Sequence, residues 1–135
     1  MTQAKIPCRL LTDGAVGAIL RRGVDLAIIG ADRIAVNGDT ANKIGSLPLA
    51  LACKRFEVPL FVAAPSSTFD RNCLDGAAIP IEERGPLEVV NYLRNTSAPN
   101  GVRVFNPAFD VVEADLIRGF ITDRGIFHPP YKFSH

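Results

Sequence analysis

Residues 25–45 read Asp-Leu-Ala-Ile-Ile-Gly-Ala-Asp-Arg-Ile-Ala-Val-Asn-Gly-Asp-Thr-Ala-Asn-Lys-Ile-Gly, and this stretch decides the fold class. Its first five residues are nearly all apolar, which predicts a strand that is buried on both faces. Two turn signals follow, Gly30 and Asn37-Gly38, and they predict a loop. A helix is then expected within residues 42–55. A buried strand that leads through a loop into a helix is typical of a parallel sheet with crossover helices.

The segments on either side repeat this alternation. Upstream, residues 8–11 read as a strand, and apolar residues at helical spacing predict a helix from residue 12 or 13 to about Arg22. Downstream, residues 58–62 read as a third strand. We therefore expect an α/β fold, with one Rossmann-like domain over residues 1–135 that has a parallel sheet and helices on both faces.

The C-terminal half carries weaker signals. Short strands are predicted at residues 79–82 and 102–105, and a helical turn is predicted between residues 85 and 91. A last helix is expected to begin at residue 113 or 114 and to end at Asp123.

The composition excludes several classes of function. The chain has 135 residues, of which 47% are hydrophobic and 21% charged, which is normal for one globular domain. The net charge of +1 gives no broad attraction for nucleic acid or an anionic membrane surface. The longest dense apolar run, Leu47–Cys53, is too short to span a bilayer, and residues 1–5 lack the apolar core of a signal peptide. We therefore expect a cytoplasmic protein with no nucleic-acid or membrane partner.

The cysteines give no sign of a disulfide or a metal site. Cys8, Cys53 and Cys73 are widely spaced and odd in number, and neither a Cys-x-x-Cys motif nor a Cys/His pairing is present. Reduced thiols are the simplest interpretation, and Cys53 reads as a buried apolar residue rather than a nucleophile. The GxGxxG and P-loop fingerprints are absent too, so no nucleotide cofactor is indicated.

Two features fall at one rim of the predicted sheet. Ligands of open parallel sheets bind at the carboxyl ends of the strands, and both Asp32 and the run 37–45 follow the strand that ends at Ile29. The start of a helix presents free N–H groups and a partial positive charge, which suit phosphate. Asn42 adds a side-chain donor and Lys43 adds a full positive charge. This pattern favours a phosphate site at Asn42 and Lys43 and an acid/base carboxylate at Asp32.

Each of these residues also has a plainer interpretation. Asn42 and Lys43 are compatible with a capped helix and a surface lysine. An Asp after a strand is often a turn residue or the partner of a nearby arginine, here Arg33. The acid/base interpretation of Asp32 requires apolar walls from neighbouring strand ends, because such walls disfavour the charged carboxylate.

Pro48 bears on where the helix begins. Proline is tolerated in the first turn of a helix but disrupts its interior. The helix is therefore predicted to begin near Ser46, with Asn42 and Lys43 in the preceding loop. In that arrangement the side chains of Asn42 and Lys43, more than the helix dipole, would hold a phosphate.

Four segments together resemble the signature of the methylthioribose-1-phosphate isomerase family. They are Gly30–Gly45, Val62–Asp70, Ile79–Arg84 and Asn106–Asp110, and they occur in the family's order over nearly the whole chain. The resemblance implies a Rossmann-like fold and an aldose–ketose isomerisation in methionine salvage, in which 5-methylthioribose 1-phosphate becomes 5-methylthioribulose 1-phosphate. It implies no redox or metal cofactor.

The resemblance also assigns roles to individual residues. It makes Asp32 the catalytic Asp of the Gly-Ala-Asp-Arg motif, and it makes Asn42 and Lys43 ligands of the substrate phosphate. Because the phosphate on the anomeric oxygen removes the free hemiacetal, ring opening needs a positioned acid. Transfer of hydrogen from C2 to C1 then needs a base, or a dry site that favours hydride migration. Both routes stay open at this point.

Members of that family are longer than this chain. They have an N-terminal helical region that carries the catalytic Cys and further phosphate ligands, and none of the three cysteines here matches that Cys motif. The resemblance therefore implies an isomerase half-site for a small-molecule sugar phosphate. Either the chain is a fragment or truncated gene product, or a complementary N-terminal chain completes the pocket. Dimerisation of the family through this domain also implies a homodimer.

Related alternatives share the same fold. One is a non-catalytic module that senses sugar phosphates or nucleotides, similar to the regulatory subunits of the guanine-nucleotide exchange factor for translation initiation. Another is ribose-1,5-bisphosphate isomerase, and a third is a relic that only dimerises. The Asp32-Arg33 pair favours the enzyme lineage, because the regulatory subunits generally lack it.

Overall fold

The computed structural model describes residues 4–92, 95, 96, 98, 99 and 101–131. Within them lie three α-helices, joined to the strands by short 3₁₀ turns: α1 (Val16–Leu20), α2 (Ser46–Arg55) and α3 (Leu87–Val90). The strands are β1 (Ala27–Ile29), β2 (Arg33–Ile34), β3 (Thr40–Lys43), β4 (Leu60–Ala63), β5 (Asn91–Tyr92), β6 (Asn95–Thr96), β7 (Phe109–Val112), β8 (Gly119–Thr122) and β9 (Gly125–Phe127).

The main sheet has the strand order β1-β4-β8-β9. Its first three strands run parallel, and β9 returns antiparallel to β8 through a tight hairpin. The register aligns Ile29 with Val62 and Val62 with Phe120, so these three side chains share one face. The predicted α/β fold with a mainly parallel sheet is confirmed.

The hydrophobic core lies on that face. Ile29, Val62 and Phe120 cluster there with Leu20 of α1 and Cys53 of α2, and the two helices pack against each other. Phe120 and Val62 are fully buried. Each such side chain contributes about 1.5–3 kcal/mol of burial free energy.

The opposite face of the sheet is open. Ile28 is 53% exposed and Ile126 is 60% exposed. The long connection from β4 to β8 carries 3₁₀ turns and short strands instead of a long crossover helix. In the part of the chain that the structure describes, helices therefore cover one face of the sheet, and the prediction of helices on both faces is corrected. The prediction that the strand at residues 25–29 is buried on both faces is corrected as well.

A small antiparallel sheet, in the order β2-β3-β7, follows the carboxyl end of β1. Strands β2 and β3 form a hairpin whose turn contains Asn37 and Gly38, as the sequence predicts. Gly38 has a φ of +96°, a backbone conformation that side chains rarely adopt. The Oδ1 atom of Asn37 accepts a hydrogen bond from the backbone N–H of Asp39 at 3.0 Å, which closes the turn.

Asp39 ties three distant segments together at this turn. Its Oδ1 accepts a hydrogen bond from the backbone N–H of Ala114 at 2.9 Å. Its Oδ2 accepts from the backbone N–H of Gly76 and from the Asn37 side chain, both at 2.9 Å. Burial alone raises the pKa of Asp39, but these three hydrogen bonds outweigh it and lower the pKa below its usual value.

Residues 114–123 do not form the predicted last helix. A 3₁₀ turn at Ala114–Leu116 leads into β8. The apolar residues here have helical spacing, but the strand is selected by packing, because Phe120 fills the core between β4 and β9. Gly119 permits this close packing, since a Cβ there would lie 2.8 Å from the carbonyl oxygen of Phe127.

Three predicted strands are wrong. Residues 8–11 are extended but unpaired in the described chain, and Leu10 is 97% exposed. Residues 79–82 and 102–105 are also irregular, and the nearest pairing is an isolated bridge between Glu83 and Pro107. The helical turn predicted between residues 85 and 91 is confirmed as α3.

Candidate functional site

The β2–β3 hairpin brings Asp32 and Asn42 together. The backbone N–H of Asp32 donates to the carbonyl oxygen of Ala41 at 2.8 Å. Asp32 lies one residue outside β2, and Ala41, which pairs with Arg33 in the register, also accepts the hydrogen bond from Asp32, so residues 32 and 33 both lie opposite Ala41 as in a β-bulge. The hairpin therefore brings the backbone of Asp32 next to the strand that carries Asn42.

This pair lies close to the carboxyl end of β1. A Cβ atom added at Gly30 would be 3.7 Å from Oδ1 of Asn42. Gly30 follows the last residue of β1 directly, so the hairpin folds back over the rim of the main sheet. The ligand-binding edge of an open parallel sheet is thus where these two side chains lie.

The Asp32 carboxylate is exposed and free. Among the residues that the structure describes, no side chain or backbone group forms a hydrogen bond or ion pair with it. Arg33 instead pairs with Asp70, with Nη1 and Oδ2 3.4 Å apart. The interpretation of Asp32 as the partner of Arg33 is therefore wrong, and the carboxylate is available for proton transfer.

The Asn42 amide is held in one orientation. Its Nδ2 donates to Oγ of Ser46 at 2.8 Å, and that hydroxyl donates to the carbonyl oxygen of Lys43 at 2.8 Å. An amide nitrogen carries two hydrogens. One of them is used within the chain, and the second is left for a ligand.

Lys43 leaves β3 on the other face. Successive residues of a strand point to opposite faces, and the ammonium of Lys43 lies 4.6 Å from the ring centroid of Phe109, its neighbour on β7. The structure therefore places Lys43 on the face of β3 opposite to that of Asn42. Lys43 is exposed, and giving up a cation–π contact at such a site costs about 0.5–1 kcal/mol, so its flexible stem leaves the ammonium free to move.

Helix α2 begins at Ser46, as Pro48 in its first turn predicts. The residues before it lie in β3 and in a corner at Gly45, whose φ is +104°, so Asn42 and Lys43 are strand residues and not loop residues. The backbone N–H of Gly45 donates to Oδ2 of Asp110 at 2.9 Å. One donor at this helix start is thus already satisfied by a carboxylate, which weakens the helix-dipole argument for phosphate.

Sequence reasoning missed a cavity of about 530 Å³ beyond the ends of β4 and β8. Its lining includes Ser66, Phe69, Arg71, Arg124 and Phe127. None of Asp32, Asn42 and Lys43 lines it, so it is separate from the hairpin site. The signal for it was present, because the ends of two parallel strands flank it.

The cysteines lie away from this chemistry. Cys53 is 1% exposed, and burial raises the pKa of its thiol, which disfavours the reactive thiolate. Its prediction as a buried apolar residue is confirmed. Within the described ranges, no group of three or more metal-ligating side chains lies close enough to hold a metal ion.

The sequence is similar to several known proteins. The initiation factor 2 subunit family matches residues 1–129. A curated methylthioribose-1-phosphate isomerase of Heliobacterium modesticaldum is 52% identical over 132 residues, which is 97% of this chain and 38% of that protein. The isomerase of Thermotoga maritima is 51% identical over 124 residues, or 91% of this chain and 36% of its own length. The chain therefore spans less than two-fifths of these relatives.

Solved structures give the same result. The 5-methylthioribose 1-phosphate isomerase of Pyrococcus horikoshii superimposes with a TM-score of 0.89 at 44% identity, over 94% of this chain and 36% of that chain. The delta subunit of translation initiation factor eIF-2B from A. fulgidus gives a TM-score of 0.90 at 37% identity, over 96% of this chain and 38% of that chain. The predicted resemblance is confirmed, and the chain belongs to the initiation factor 2 subunit family.

Proposed function

We propose that this chain supplies one half of an aldose–ketose isomerase site, which converts 5-methylthioribose 1-phosphate to 5-methylthioribulose 1-phosphate. The observation that carries the proposal is the free Asp32 carboxylate next to the strand that carries Asn42, at the carboxyl end of β1. The names of curated relatives at about 50% identity support it. Methionine salvage is the corresponding process, and the reaction belongs to the isomerase class.

Asp32 acts as the acid and then the base. A protonated carboxyl group beside the ring oxygen donates its proton as the C1–O bond to the ring breaks, which opens a sugar that has no free hemiacetal. The resulting carboxylate then accepts the proton removed from C2 and delivers it to C1, and the proton that the C2 hydroxyl loses as the ketone forms restores the protonated carboxyl group. Incorporation of solvent deuterium at C1 of the product tests this proton-transfer route against direct hydride migration.

Asn42 and Lys43 hold the phosphate. The second amide hydrogen of Asn42 points at no group of the described chain, and phosphate oxygens accept such a hydrogen bond. Lys43 moves from the Phe109 ring to the phosphate, because an ion pair with a dianion outweighs an exposed cation–π contact. We place Asp32 and Asn42 at the sugar and the phosphate of one ligand.

A second polypeptide completes the site. The Asp32 carboxylate is exposed in this chain, whereas general acid catalysis of this kind needs a site from which water is excluded. The open face of the main sheet, with Ile28 and Ile126 more than half exposed, provides a surface for such a chain. We propose a complementary N-terminal chain for this role, in a cytoplasmic complex without nucleic acid or membrane. A homodimer is the other assembly considered.

Complementation tests this proposal. The chain is mixed with the separately produced N-terminal part of the Heliobacterium modesticaldum relative, and conversion of the aldose phosphate is measured. We expect turnover from the mixture and little or none from either part. Full activity of the chain alone would overturn the half-site.

Asp32→Asn tests the acid/base role in the same mixture. We expect a loss of about 10²–10⁴-fold in kcat, the usual contribution of a general acid or base, with phosphate affinity retained. Asp25→Asn is the matched control, because Asp25 is an exposed carboxylate at the opposite end of β1. Equal turnover of Asp32→Asn and the control would refute the assignment.

A non-catalytic sensing module is the second candidate function. Its support is the TM-score of 0.90 with the eIF-2B delta subunit, against 0.89 with the isomerase of Pyrococcus horikoshii. The retained Asp32-Arg33 pair favours the enzyme. Binding of a sugar phosphate without turnover in the complementation mixture would favour the sensing module instead.

A further inference from the structure

We propose that Asp110 is a positioning residue, which acts through Gly45 and Ser46 to hold Asn42 ready for the substrate phosphate. The proposal rests on the phosphate-binding role proposed for Asn42. It gives a function to the Asn106–Asp110 segment, which the sequence singles out and the site chemistry leaves without a role.

Asp110 lies beside Asn42 on the small sheet. In the β3–β7 register Asp110 is directly opposite Asn42. Residues in register across antiparallel strands share one face. The Asp110 carboxylate and the Asn42 amide therefore lie side by side on that face.

A chain of hydrogen bonds connects Asp110 to the Asn42 amide. Oδ2 of Asp110 accepts from the backbone N–H of Gly45 at 2.9 Å, and Gly45 has a φ of +104°. This bond fixes the corner from which Ser46 projects. The Ser46 hydroxyl in turn accepts from Nδ2 of Asn42 at 2.8 Å. The orientation of the amide thus depends on the corner that Asp110 holds.

The other carboxylate oxygen of Asp110, Oδ1, lowers the stability of the fold. Oδ1 is buried and has no hydrogen-bond partner, and it is the one such side-chain atom among the described residues. An unsatisfied buried polar group is destabilising, more so when it belongs to a carboxylate. An Asn here would also accept from Gly45 but would bury an unpartnered Nδ2 in place of Oδ1, so the positioning role requires the acceptor oxygen and not the charge.

Asp110 is not itself a phosphate ligand. A carboxylate next to a bound phosphate repels it, so loss of the negative charge alone cannot weaken phosphate binding. Loss of the acceptor for the backbone N–H of Gly45 can weaken phosphate binding. Asp110→Asn and Asp110→Ala separate these two effects, because only Asn keeps an oxygen of the same reach.

Inorganic phosphate is the probe for the test. The ¹⁵N-labelled 135-residue chain is titrated with phosphate at pH 7, and the amide signals of Gly45 and of the Asn42 side chain are followed. We expect Asp110→Ala to bind phosphate about tenfold more weakly, the effect of losing roughly one hydrogen bond. We expect Asp110→Asn to bind within about twofold of the unmodified chain, because its amide oxygen still accepts from Gly45.

Two controls separate this proposal from the proposed function. Asn42→Ala is expected to lose phosphate binding, and Asp115→Ala, which removes an exposed carboxylate paired with Lys54, is expected to leave it unchanged. If the unmodified chain does not bind phosphate, or if Asn42→Ala binds phosphate as tightly as the unmodified chain, both proposals fail. If only Asn42→Ala loses binding while Asp110→Ala retains it, the role of Asp110 alone is refuted.

Two further results bear on Asp110. Equal weakening by Asp110→Asn and Asp110→Ala would overturn the positioning role, because the conservative variant would then fail to rescue. If Asp110→Ala does not fold, amide hydrogen exchange at Gly45 in the unmodified chain tests the proposal instead. If phosphate binding is coupled to the Gly45 corner, added phosphate must slow amide hydrogen exchange at Gly45, because such coupling acts in both directions. Unchanged exchange would refute the proposal.

Discussion

Replacing Asp39 by Ala should destabilise the fold, because the Asp39 carboxylate accepts the hydrogen bonds that hold the β2–β3 turn. The substitution removes three hydrogen bonds, from the Asn37 side chain and from the backbones of Gly76 and Ala114. These bonds join the hairpin turn to two segments that are 37 and 75 residues further along the chain. No nearby side chain of the described residues replaces them.

The magnitude follows from the groups left behind. The N–H groups of buried Gly76 and half-buried Ala114 lose their acceptor, and each such loss costs about 1–3 kcal/mol. Part of this is recovered, because Asp39 is not fully buried and water reaches the gap. We therefore expect a loss of about 2–4 kcal/mol, which is a large part of the 5–15 kcal/mol that stabilises a typical domain.

Urea unfolding followed by circular dichroism measures this loss at pH 7. With a slope of about 1–3 kcal/mol per molar urea, the midpoint should fall by about 1 M or more. Asp115→Ala is the matched control, since it removes an exposed carboxylate whose ion pair with Lys54 is worth at most about 1 kcal/mol.

The same carboxylate predicts a pH dependence. The folded pKa of Asp39 is lowered, so its contribution is present above the unfolded value of about 3.9 and is lost as the pH falls through the folded pKa. The stability difference between the unmodified chain and Asp39→Ala should therefore shrink below pH 4. A difference under 1 kcal/mol at pH 7, or one that grows in acid, would refute the reasoning.

Three further outcomes are expected. Gly119→Ala should cost about 1–3 kcal/mol in urea unfolding, because its Cβ would lie 2.8 Å from a backbone oxygen, whereas Gly85→Ala, with open space around it, should be neutral. In an absorbance titration at high pH, one tyrosine should ionise near pH 12, because burial raises the pKa of Tyr131 to about 12, and Tyr131→Phe should remove that step. Since this folded pKa exceeds the unfolded value of about 10, stability due to Tyr131 is present below pH 10 and declines as the pH rises above it.

Local sequence rules predicted the elements that depend on neighbours in the chain. The apolar run before Gly30 became β1, the Asn37-Gly38 signal became the hairpin turn, and Pro48 located the start of α2. In each case the deciding interaction lies within a few residues. Gly23, which follows the end of the first predicted helix, has a φ of +93°, a conformation that glycine adopts readily.

The errors come from long-range pairing. A helix was predicted up to Asp123, yet residues 119–122 form β8, because β4 and β9 flank this strand in the sheet. Residues 8–11 have a strand pattern but no partner strand in the described chain. A spacing pattern reports which residues prefer burial, and the partner that buries them is fixed by the whole chain.

The candidate site shows the same division. The sequence predicted that the segments of Asp32 and Asn42 would meet at a sheet rim through a helix dipole, and the structure brings the two segments together through the antiparallel β2–β3 hairpin. The link from Asp110 to Gly45 spans 65 residues, so no local pattern reveals it. The placement of Lys43 over Phe109 depends on the β3–β7 register and could not be predicted either.

Only nine residues separate Asp32 from Asn42 along the chain. Closing so short a loop costs little chain entropy, so the pairing forms quickly and does not wait for distant segments. Both groups therefore lie on one short segment of the chain. A break in the gene at any point outside residues 32–42 leaves them joined along the chain, while the geometry between them still depends on the distant segments that hold the hairpin, such as β7 with Asp110.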